Sequence, residues 1–375
     1  MTTPSTLVDT VIDAVDVGVY RFPTPEPEAD GTLTWDATTA VTVTVHGDGL
    51  TGLGWTYSSP AAASVIDAHF TGLLRGCCAH DVTGVAEAMQ RAARNIGAAG
   101  LVGQAISAVD IALWDLKAKL LDIPLTTLLG ATRSGVPVYG SGGFVSSSDA
   151  QLSEDVEAWK AAGCPAMKIK IGRDRGRAPV WDLDRVARFR ELAGTGIALM
   201  VDANGAYRSG QAVRMGAQMQ RWDIGWFEEP VSSDDTEGLA LVRASLNCDV
   251  AAGEYVATTY DAQRLAPVVD CLQADVTRCG GYTGFLRVAA VASAHNLDVS
   301  AHCAPALHAP VAAAIANLRH VEWFNDHVRL EPLLVNGVPA VEGGVLAVQR
   351  RRAGHGMSLA DGAEQYRVWR SSTEW

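Results

Sequence analysis

Basic residues are scarce in this sequence relative to acidic ones. Its 375 residues include 30 Lys and Arg against 42 Asp and Glu, which gives a formal net charge of -12. A surface that binds nucleic acid or an anionic membrane requires an excess of positive charge. The charge balance therefore disfavours both kinds of partner, and a small molecule is the expected ligand.

A membrane-spanning segment and a paired-cysteine motif are also missing. No apolar run approaches the roughly 20 residues that cross a bilayer, and residues 1–14 lack the basic flank and apolar core of a secretory leader. The seven cysteines include no C-x-x-C motif, and their odd number fits reduced thiols that serve in packing better than disulfides or a zinc site. We therefore expect a cytoplasmic protein with reduced cysteines.

Apolar residues, in contrast, are plentiful: 48% of the chain is hydrophobic, which is ample for large buried cores. Residues 5–60 contain strand-like runs and a Pro-rich, acidic stretch at residues 22–34, which we predict to be a mobile loop. Residues 64–120 show the periodicity of helices. Strands followed by helices predict an α+β capping domain over residues 1–130.

Residues 131–330 alternate short strand-like runs with helical ones, which is typical of a parallel α/β arrangement. Eight strands suffice to close a barrel. We predict them at residues 137–139, 166–171, 198–203, 224–228, 249–253, 271–276, 297–301 and 321–324. Residues 331–375 are too few for a domain, and we expect this C-terminal segment to return to the capping domain.

Acidic residues end three successive predicted strands. Asp202, Glu228 and Glu254 follow one another at intervals of 26 residues. Because the C-terminal ends of barrel strands form the active-site face, the three carboxylates should converge. Mg²⁺ prefers such oxygen ligands, whereas zinc would favour His or Cys. The spacing predicts a Mg²⁺ site, although each residue alone could be a solvated turn residue or a helix cap.

Lys168 and Lys170 lie in the sequence MKIKIG and share one face of a strand, because side chains alternate along a strand. Two lysines that point into an apolar barrel mouth need anions to offset their loss of hydration. The carboxylates of the metal site and of a substrate would supply them. The alternative is an edge strand with a solvated basic face.

Asp275 and His302 end two consecutive predicted strands farther along the chain. An aspartate that accepts the imidazole N–H fixes the tautomer of the histidine and stabilises its charged form, so the histidine can carry a proton near neutral pH. A single histidine is more often structural, but this one has a partner on the adjacent strand. Glu322 ends the eighth strand and can hydrogen-bond a group at the centre.

Together these residues resemble those of the enolase superfamily, and within it the mandelate racemase subgroup. The resemblance covers almost the whole chain, with chemically suitable residues on seven successive strands. It implies a modified (β/α)7β barrel of TIM type with an α+β capping domain. It also implies Mg²⁺ as cofactor, a small carboxylate substrate such as an acid sugar, and assembly into a homo-oligomer.

The resemblance further implies a role for each residue. Lys170 would be the base on one face of the α-carbon, while Lys168 would contact the substrate carboxylate and keep Lys170 unprotonated by like-charge repulsion. His302, oriented by Asp275, would act on the opposite face. Glu322 would hydrogen-bond an oxygen of the enediolate intermediate.

In this family a loop of the first domain closes the pocket and selects the substrate. In this chain that loop is expected at residues 20–35, with residues 54–57 as a second contact. The candidate substrate-binding residues are Tyr20, Arg21, Trp55, Tyr57 and, just after the first metal ligand, Asn204.

Proton carriers on both faces of the α-carbon leave several reactions open. We expect a hydro-lyase that dehydrates an aldonate or aldarate to a 2-keto-3-deoxy acid, with His302 protonating the departing hydroxyl. The alternative is a racemase or epimerase of a 2-hydroxy acid, or a cycloisomerase of a sugar lactone. A non-catalytic binding protein on the same scaffold is a remote alternative, because it would have no reason to keep the full catalytic set.

Overall fold

The computed structural model describes residues 10–371 of the chain. Residues 1–9, where no secretory leader was expected, and residues 372–375, at the end of the predicted C-terminal segment, lie outside this range. Among the described residues, no helix combines the length and the apolar character that crossing a membrane requires.

The N-terminal part is an antiparallel sheet covered by helices. Every second residue at the start of the first strand, Val15, Val17 and Val19, is buried against the helices, as expected for a strand with one face in a core. The strands are β1 (Ala14–Ala29), β2 (Thr34–Gly47) and β3 (Leu50–Tyr57). The helices are α1 (Ala61–Val65), α2 (Gly72–Leu74), α3 (Val82–Ala92), α4 (Leu101–Leu120) and α5 (Leu125–Leu128), with a π-helical turn at Ile66–Thr71.

Glycine allows β3 and α4 to pack closely. A Cβ atom at Gly54 would lie only 2.2 Å from the backbone carbonyl oxygen of Ala108 in α4. No larger residue fits between the two backbones without displacing one of them. This contact holds the end of β3, which carries Tyr57, against the helical layer.

The mobile loop predicted at residues 22–34 is wrong for most of its length, because β1 continues to Ala29. Its alternating prolines, Pro23, Pro25 and Pro27, favour an extended backbone but have no N–H to donate. Pairing with β2 accordingly lapses after Pro23 and resumes at Glu28. The proline pattern that resembles a loop in the sequence therefore belongs to an extended hairpin arm.

Eight parallel strands form a closed barrel, and pairing of the last strand with the first completes it. The strands are β4 (Gly135–Gly142), β5 (Ala166–Lys170), β6 (Ala198–Asp202), β7 (Ile224–Glu228), β8 (Asp249–Ala252), β9 (Cys271–Ala274), β10 (Asp298–Ala301) and β11 (Leu318–Phe324). Every one overlaps its predicted range. The predicted α/β class and TIM-type barrel are therefore confirmed.

Helices connect the strands around the outside of the barrel. They are α6 (Asp149–Ala161), α7 (Arg173–Gly176), α8 (Pro179–Ala193), α9 (Ser209–Met219), α10 (Thr236–Ser245), α11 (Thr259–Leu265), α12 (Gly281–Ala294) and α13 (Pro305–Ala312). Short 3-10 helices at Gln220–Trp222 and Ala266–Val268 extend two of these connections. The interior below the strand ends is filled by the buried side chains of Tyr139, Met200, Trp226, Ala251 and Cys271.

The C-terminal segment contacts both the barrel and the cap. Its elements are α14 (Asn325–Leu334), β12 (Val335–Asn336), β13 (Val341–Glu342), β14 (Val345–Ala347), β15 (Ser358–Leu359), a 3-10 helix (Asp361–Tyr366) and β16 (Arg367–Arg370). β14 pairs with β4 of the barrel, and β16 adds an edge strand to β1 of the cap. The predicted return of this segment to the cap is confirmed.

Candidate active site

Three carboxylates meet at the C-terminal ends of neighbouring strands. Asp202 and Glu228 are the last residues of β6 and β7 and pair in register, and Glu254 lies two residues beyond β8. All three are buried, and each offers an oxygen within 4.8 Å of the others. Oε2 of Glu254 is buried without a hydrogen-bond partner. This anionic, all-oxygen and partly unsatisfied set of donors fits a hard divalent cation such as Mg²⁺.

Lys168 and Lys170 reach the same centre from β5, which lies between β4 and β6 and is therefore not an edge strand. Nζ of Lys168 is 2.6 Å from each carboxylate oxygen of Glu228, and Nζ of Lys170 pairs with Asp202. Both lysines are buried. Anions thus surround the two ammonium groups, as their loss of hydration requires.

The protonation of Lys170 differs from the expectation. Burial is the largest single effect and lowers its pKa, but the carboxylates of Asp202, Glu228 and Glu254 together outweigh it, and the pKa is raised above its ordinary value. Lys168 lowers the pKa of Lys170, in the predicted direction, but its effect is smaller than that of Asp202. Like-charge repulsion alone therefore does not keep Lys170 unprotonated while Asp202 is its partner.

Asp275 and His302 form a hydrogen-bonded pair between the ends of β9 and β10. Nδ1 of His302 is 2.8 Å from Oδ2 of Asp275, while Oδ1 of Asp275 accepts two hydrogen bonds from Thr277. Nε2 of His302 lies 3.5 Å from Oε2 of Glu254. Burial lowers the pKa of His302, but Glu254 and the hydrogen bond to Asp275 outweigh it and raise the pKa. The pair has the geometry of an oriented proton carrier.

Glu322 is surrounded by hydrogen-bond donors from the protein. Oε1 accepts from Oγ of Ser141 at 2.6 Å and lies 2.9 Å from Nζ of Lys168, and Oε2 accepts from the backbone N–H of Cys303 at 2.8 Å. Burial raises the pKa of Glu322, but the charges of Lys168 and His302 outweigh it and lower the pKa well below its ordinary range. An ionised carboxylate only accepts hydrogen bonds. In this arrangement Glu322 holds Lys168 in place, and its expected hydrogen bond to an enediolate oxygen stays a prediction.

A cavity of about 350 Å³ lies over this centre, between the barrel and the cap. Lys170, Glu254 and His302 line it from the barrel side. The volume falls within the range of roughly 300–1,000 Å³ that is usual for small-molecule sites. Lys170, His302 and one carboxylate of the three-carboxylate centre therefore face a common, ligand-sized space.

The five predicted substrate-binding residues do not all reach this cavity. Tyr57 and Asn204 line it. Trp55 is buried and donates from Nε1 to the hydroxyl of Tyr57 at 3.1 Å. Tyr20 lines a separate cavity between the cap sheet and the C-terminal segment, and Arg21 forms an exposed ion pair. Tyr20 and Arg21 are therefore not substrate-binding candidates.

The position of the hairpin explains this difference. β1 extends nine residues past Tyr20, so the end of the hairpin, rather than its middle, overlies the barrel. Asp30, Leu33 and Trp35 at that end line the cavity. The expected loop thus contributes to the site, but through residues near its far end.

Several residues at the site were not anticipated from the sequence. Arg278 lies three residues after Asp275, and its Nη1 is 3.2 Å from Oε1 of Glu254 while its Nε is 3.5 Å from Oδ2 of Asp275. Cys303, interpreted as a packing residue, places Sγ 3.3 Å from Nε2 of its neighbour His302. Adjacency to predicted site residues was the available signal for both.

His327 stacks on Tyr57 with ring centroids 3.7 Å apart, and its Nδ1 accepts the backbone N–H of Ala304 at 2.9 Å. It also lines the cavity. His327 lies in α14, beyond the last barrel strand, and no motif in the sequence marks it.

Geometry and sequence comparison define the same class of protein. Residues 15–130 match the family described as "Mandelate racemase / muconate lactonizing enzyme, N-terminal domain", and residues 151–363 match "Enolase C-terminal domain-like". The chain belongs to the mandelate racemase and muconate lactonizing enzyme family of the enolase superfamily. The predicted resemblance is therefore confirmed.

Particular relatives differ in their reactions. The chain is 33% identical over 361 residues to 3,6-anhydro-alpha-L-galactonate cycloisomerase of Streptomyces coelicolor, covering 93% of this chain and 97% of that protein. It is 34% identical over 287 residues to L-talarate/galactarate dehydratase of Salmonella typhimurium, covering 74% and 71% respectively.

Solved structures confirm the fold. A mandelate racemase/muconate lactonizing enzyme-like protein from Rubrobacter xylanophilus superposes with a TM-score of 0.92 at 44% identity, covering 96% of this chain and 100% of that one. The Salmonella dehydratase, liganded with Mg and L-lyxarohydroxamate, superposes with a TM-score of 0.89 at 28% identity, covering 99% and 97%.

Proposed function

We propose that this chain removes the proton α to the carboxylate of an acid sugar and eliminates the β-hydroxyl, giving a 2-keto-3-deoxy acid. The observation that carries the proposal is the meeting of Lys170 and His302 in one cavity beside the three-carboxylate centre. Dehydratases of sugar acids among the relatives point in the same direction.

Asp202, Glu228 and Glu254 would hold Mg²⁺, the ion present in the liganded Salmonella enzyme. When bound, Mg²⁺ supplies a Lewis-acid charge that stabilises the negative charge developing on the substrate carboxylate. Asp202 would then be a metal ligand and no longer a free partner of Lys170. Asp202 is the largest of the carboxylate effects that raise the pKa of Lys170, and Glu228 and Glu254 are the others. Because a bound cation would neutralise all three, it would favour the neutral amine.

Lys170, once neutral, takes the α-proton from the substrate in the cavity. The hydrogen bond to Asp275, which is not a metal ligand, favours the charged form of His302, and His302 gives its proton to the departing β-hydroxyl. Asp275 keeps Nδ1 as the hydrogen-bonded nitrogen, so that Nε2 faces the cavity. Each positioned acid or base contributes roughly 10²- to 10⁴-fold to the rate.

The charges around the cavity favour a substrate with one carboxylate. Asp30 is the only charged residue among the described cap residues that line it, and the hydroxyls of Thr38, Thr39 and Ser58 are available instead. On the barrel side, burial lowers the pKa of His327 to about 4, so this residue is neutral at pH 7. Arg278 also lines the cavity, but it is already paired with Glu254 and Asp275. A second carboxylate would therefore lack an uncommitted countercharge, whereas sugar hydroxyls would find partners. These residues support an aldonate over an aldarate.

Cycloisomerisation is the second candidate, and one observation favours it. The alignment with the Streptomyces cycloisomerase spans 97% of that protein, whereas the alignment with the Salmonella dehydratase spans 71%. A leaving group that remains attached to the substrate would use the same base and the same acid. The two reactions therefore differ in what departs rather than in how the proton is removed.

The experiment incubates the purified protein and Mg²⁺ with aldonic acids, aldaric acids, anhydro sugar acids and lactones, and detects 2-keto acids with a carbonyl reagent. Mass spectrometry of each product distinguishes loss of one water from isomerisation. A Lys170→Ala variant serves as the control and should be inactive. Keto acid with loss of water from an aldonate is the expected result. Conversion without change of mass would replace dehydration by cycloisomerisation, and turnover of aldarates alone would contradict the charge argument.

A further inference from the structure

His302, Cys303 and Glu322 form a second group of potential metal ligands beside the three-carboxylate centre. One ligand atom from each, an imidazole nitrogen, a thiol sulfur and a carboxylate oxygen, lies within 4.8 Å of the other two. All three residues are buried and follow the ends of β10 or lie on β11. The chemistry of this group differs from that of the first centre, because nitrogen and sulfur bind softer ions than carboxylates do.

The distances within this group suit a tetrahedral ion. Bonds of about 2.0 Å to nitrogen and about 2.3 Å to sulfur place the two atoms about 3.5 Å apart, and bonds to nitrogen and oxygen place those atoms about 3.4 Å apart. Sγ of Cys303 is 3.3 Å from Nε2 of His302, and Oε2 of Glu322 is 3.8 Å from the same nitrogen. Small side-chain shifts would bring all three atoms to bonding distance.

Neighbouring residues hold the ligand atoms ready. Asp275 accepts the hydrogen bond from Nδ1 of His302, so Nε2 is the nitrogen that can bind a metal. A carboxylate commonly orients a metal-binding histidine in this way. The Cys303 N–H and the Ser141 hydroxyl fix the carboxylate of Glu322. His302 and Cys303 line the cavity, so water from the cavity can take the fourth position.

We propose that His302, Cys303 and Glu322 bind a thiophilic divalent ion such as Zn²⁺, separately from Mg²⁺, and that this ion inhibits the enzyme by occupying Nε2 of His302. Binding releases the thiol proton of Cys303 and the Nε2 proton of His302 to solvent, so the ligands are a thiolate and a neutral imidazole. Mg²⁺ does not compete, because it binds oxygen ligands in octahedral geometry. The inhibition rests on the proposed role of His302, whereas the binding does not.

Cobalt(II) provides a direct test on the full-length, reduced protein with Mg²⁺ saturating the first centre. We expect a near-ultraviolet thiolate-to-cobalt charge-transfer band that saturates at one ion per chain. Additional Mg²⁺ should not weaken this band, whereas Zn²⁺ should abolish it by displacing the cobalt. Cys303→Ser and Cys303→Ala should each lose the band and bind cobalt at least about 10-fold more weakly. Loss of a residue that only orients a metal ligand typically weakens metal binding about 10- to 100-fold, so loss of a ligand should cost at least as much. Cys78→Ser, a change at a partly exposed cysteine of the cap, should keep it.

Persistence of the band in both Cys303 variants, or its loss in Cys78→Ser, would overturn the proposal. Displacement of the cobalt by Mg²⁺ would do the same, because it would place the ion at the carboxylates. X-ray absorption of the zinc-loaded wild-type protein gives an answer that needs no variant. One sulfur neighbour at about 2.3 Å is expected, and a shell of nitrogen and oxygen alone would refute the site. Binding without inhibition would leave the site intact and contradict the role of His302.

Discussion

Replacement of Lys168 by Met removes the ammonium group that lies between buried carboxylates while preserving most of the side-chain volume. Nζ of Lys168 contacts Glu228 at 2.6 Å and Glu322 at 2.9 Å, and no part of the side chain is exposed. Removing one partner of a buried ion pair typically costs about 3–5 kcal/mol, because the other charge is left uncompensated. Lys168→Met should therefore destabilise the metal-free protein by about that amount.

This free energy corresponds to a measurable shift in melting temperature. An unfolding entropy of about 2.1 cal/mol/K per residue gives about 0.8 kcal/mol/K for 375 residues, so the expected decrease is roughly 4–6 °C. Calorimetry with chelator, at one scan rate, measures it. Mg²⁺ should reduce the difference in melting temperature between Lys168→Met and the wild type, because it supplies positive charge next to Glu228.

A matched control is Lys160→Met. Lys160 forms a partly exposed ion pair with Glu157, and such pairs contribute at most about 1 kcal/mol, so its melting temperature should change by about 1 °C. If Lys168→Met were as stable as the wild type without metal, or if both variants lost the same amount, the described charge network at the barrel mouth would be wrong.

Three other changes test the remaining parts of the site. At a Mg²⁺ concentration of about 100 times Kd, the wild type should gain about 2.7 kcal/mol of stability, seen as a rise of roughly 3 °C, and Glu228→Gln should gain far less because it lacks one anionic ligand. Asp275→Asn should lower kcat by about 10²- to 10⁴-fold with little change in Mg²⁺ affinity by calorimetry, because Asp275 orients His302 and is not one of the three carboxylates of the cation site. His327 is neutral when folded, with its pKa lowered by burial to about 4, but protonates near 6.5 when unfolded, so stability falls as pH decreases through this interval. From pH 7 to pH 5, His327→Gln should lose about 2 kcal/mol less than the wild type in urea denaturation.

Each of these has a contrary outcome. If Mg²⁺ stabilised Glu228→Gln as much as the wild type, Glu228 would not be a metal ligand. Normal turnover by Asp275→Asn would show that the hydrogen bond between Asp275 and His302 is not needed for catalysis. An unchanged pH dependence in His327→Gln would show that this histidine is not held neutral in the fold. The comparison with the variant is needed because burial raises the pKa of Glu331 to about 8, which gives a pH effect of opposite sign.

The strands and the cluster of charged residues at the barrel mouth were predictable because both follow from local patterns. Short apolar runs that end in a charged residue mark a barrel strand, and equal spacing of Asp202, Glu228 and Glu254 places them on successive strands. The same alternation assigns Lys168 and Lys170 to one face. No long-range information is needed beyond closure of the barrel.

Features that depend on contacts between distant segments were not predictable. The prolines between Pro23 and Pro27 indicate a loop by composition, but pairing with β2 on both sides of them extends the strand. The protonation of Lys170 depends on Asp202, whose effect exceeds that of the adjacent Lys168. His327 reaches the cavity only because α14 folds back against the cap. Predicting these features requires distances between residues that are far apart in the sequence.

Loss of the α-proton in D₂O tests the central claim most directly. Proton NMR of aldonates, aldarates, 2-hydroxy acids and sugar lactones, incubated with the enzyme and saturating Mg²⁺, reports it whether or not water is eliminated. The account predicts Mg²⁺-dependent loss of the α-proton signal from at least one of these acids, and none with Lys170→Ala. Retention of the α-proton in every compound, or an equal loss in Lys170→Ala, would contradict it.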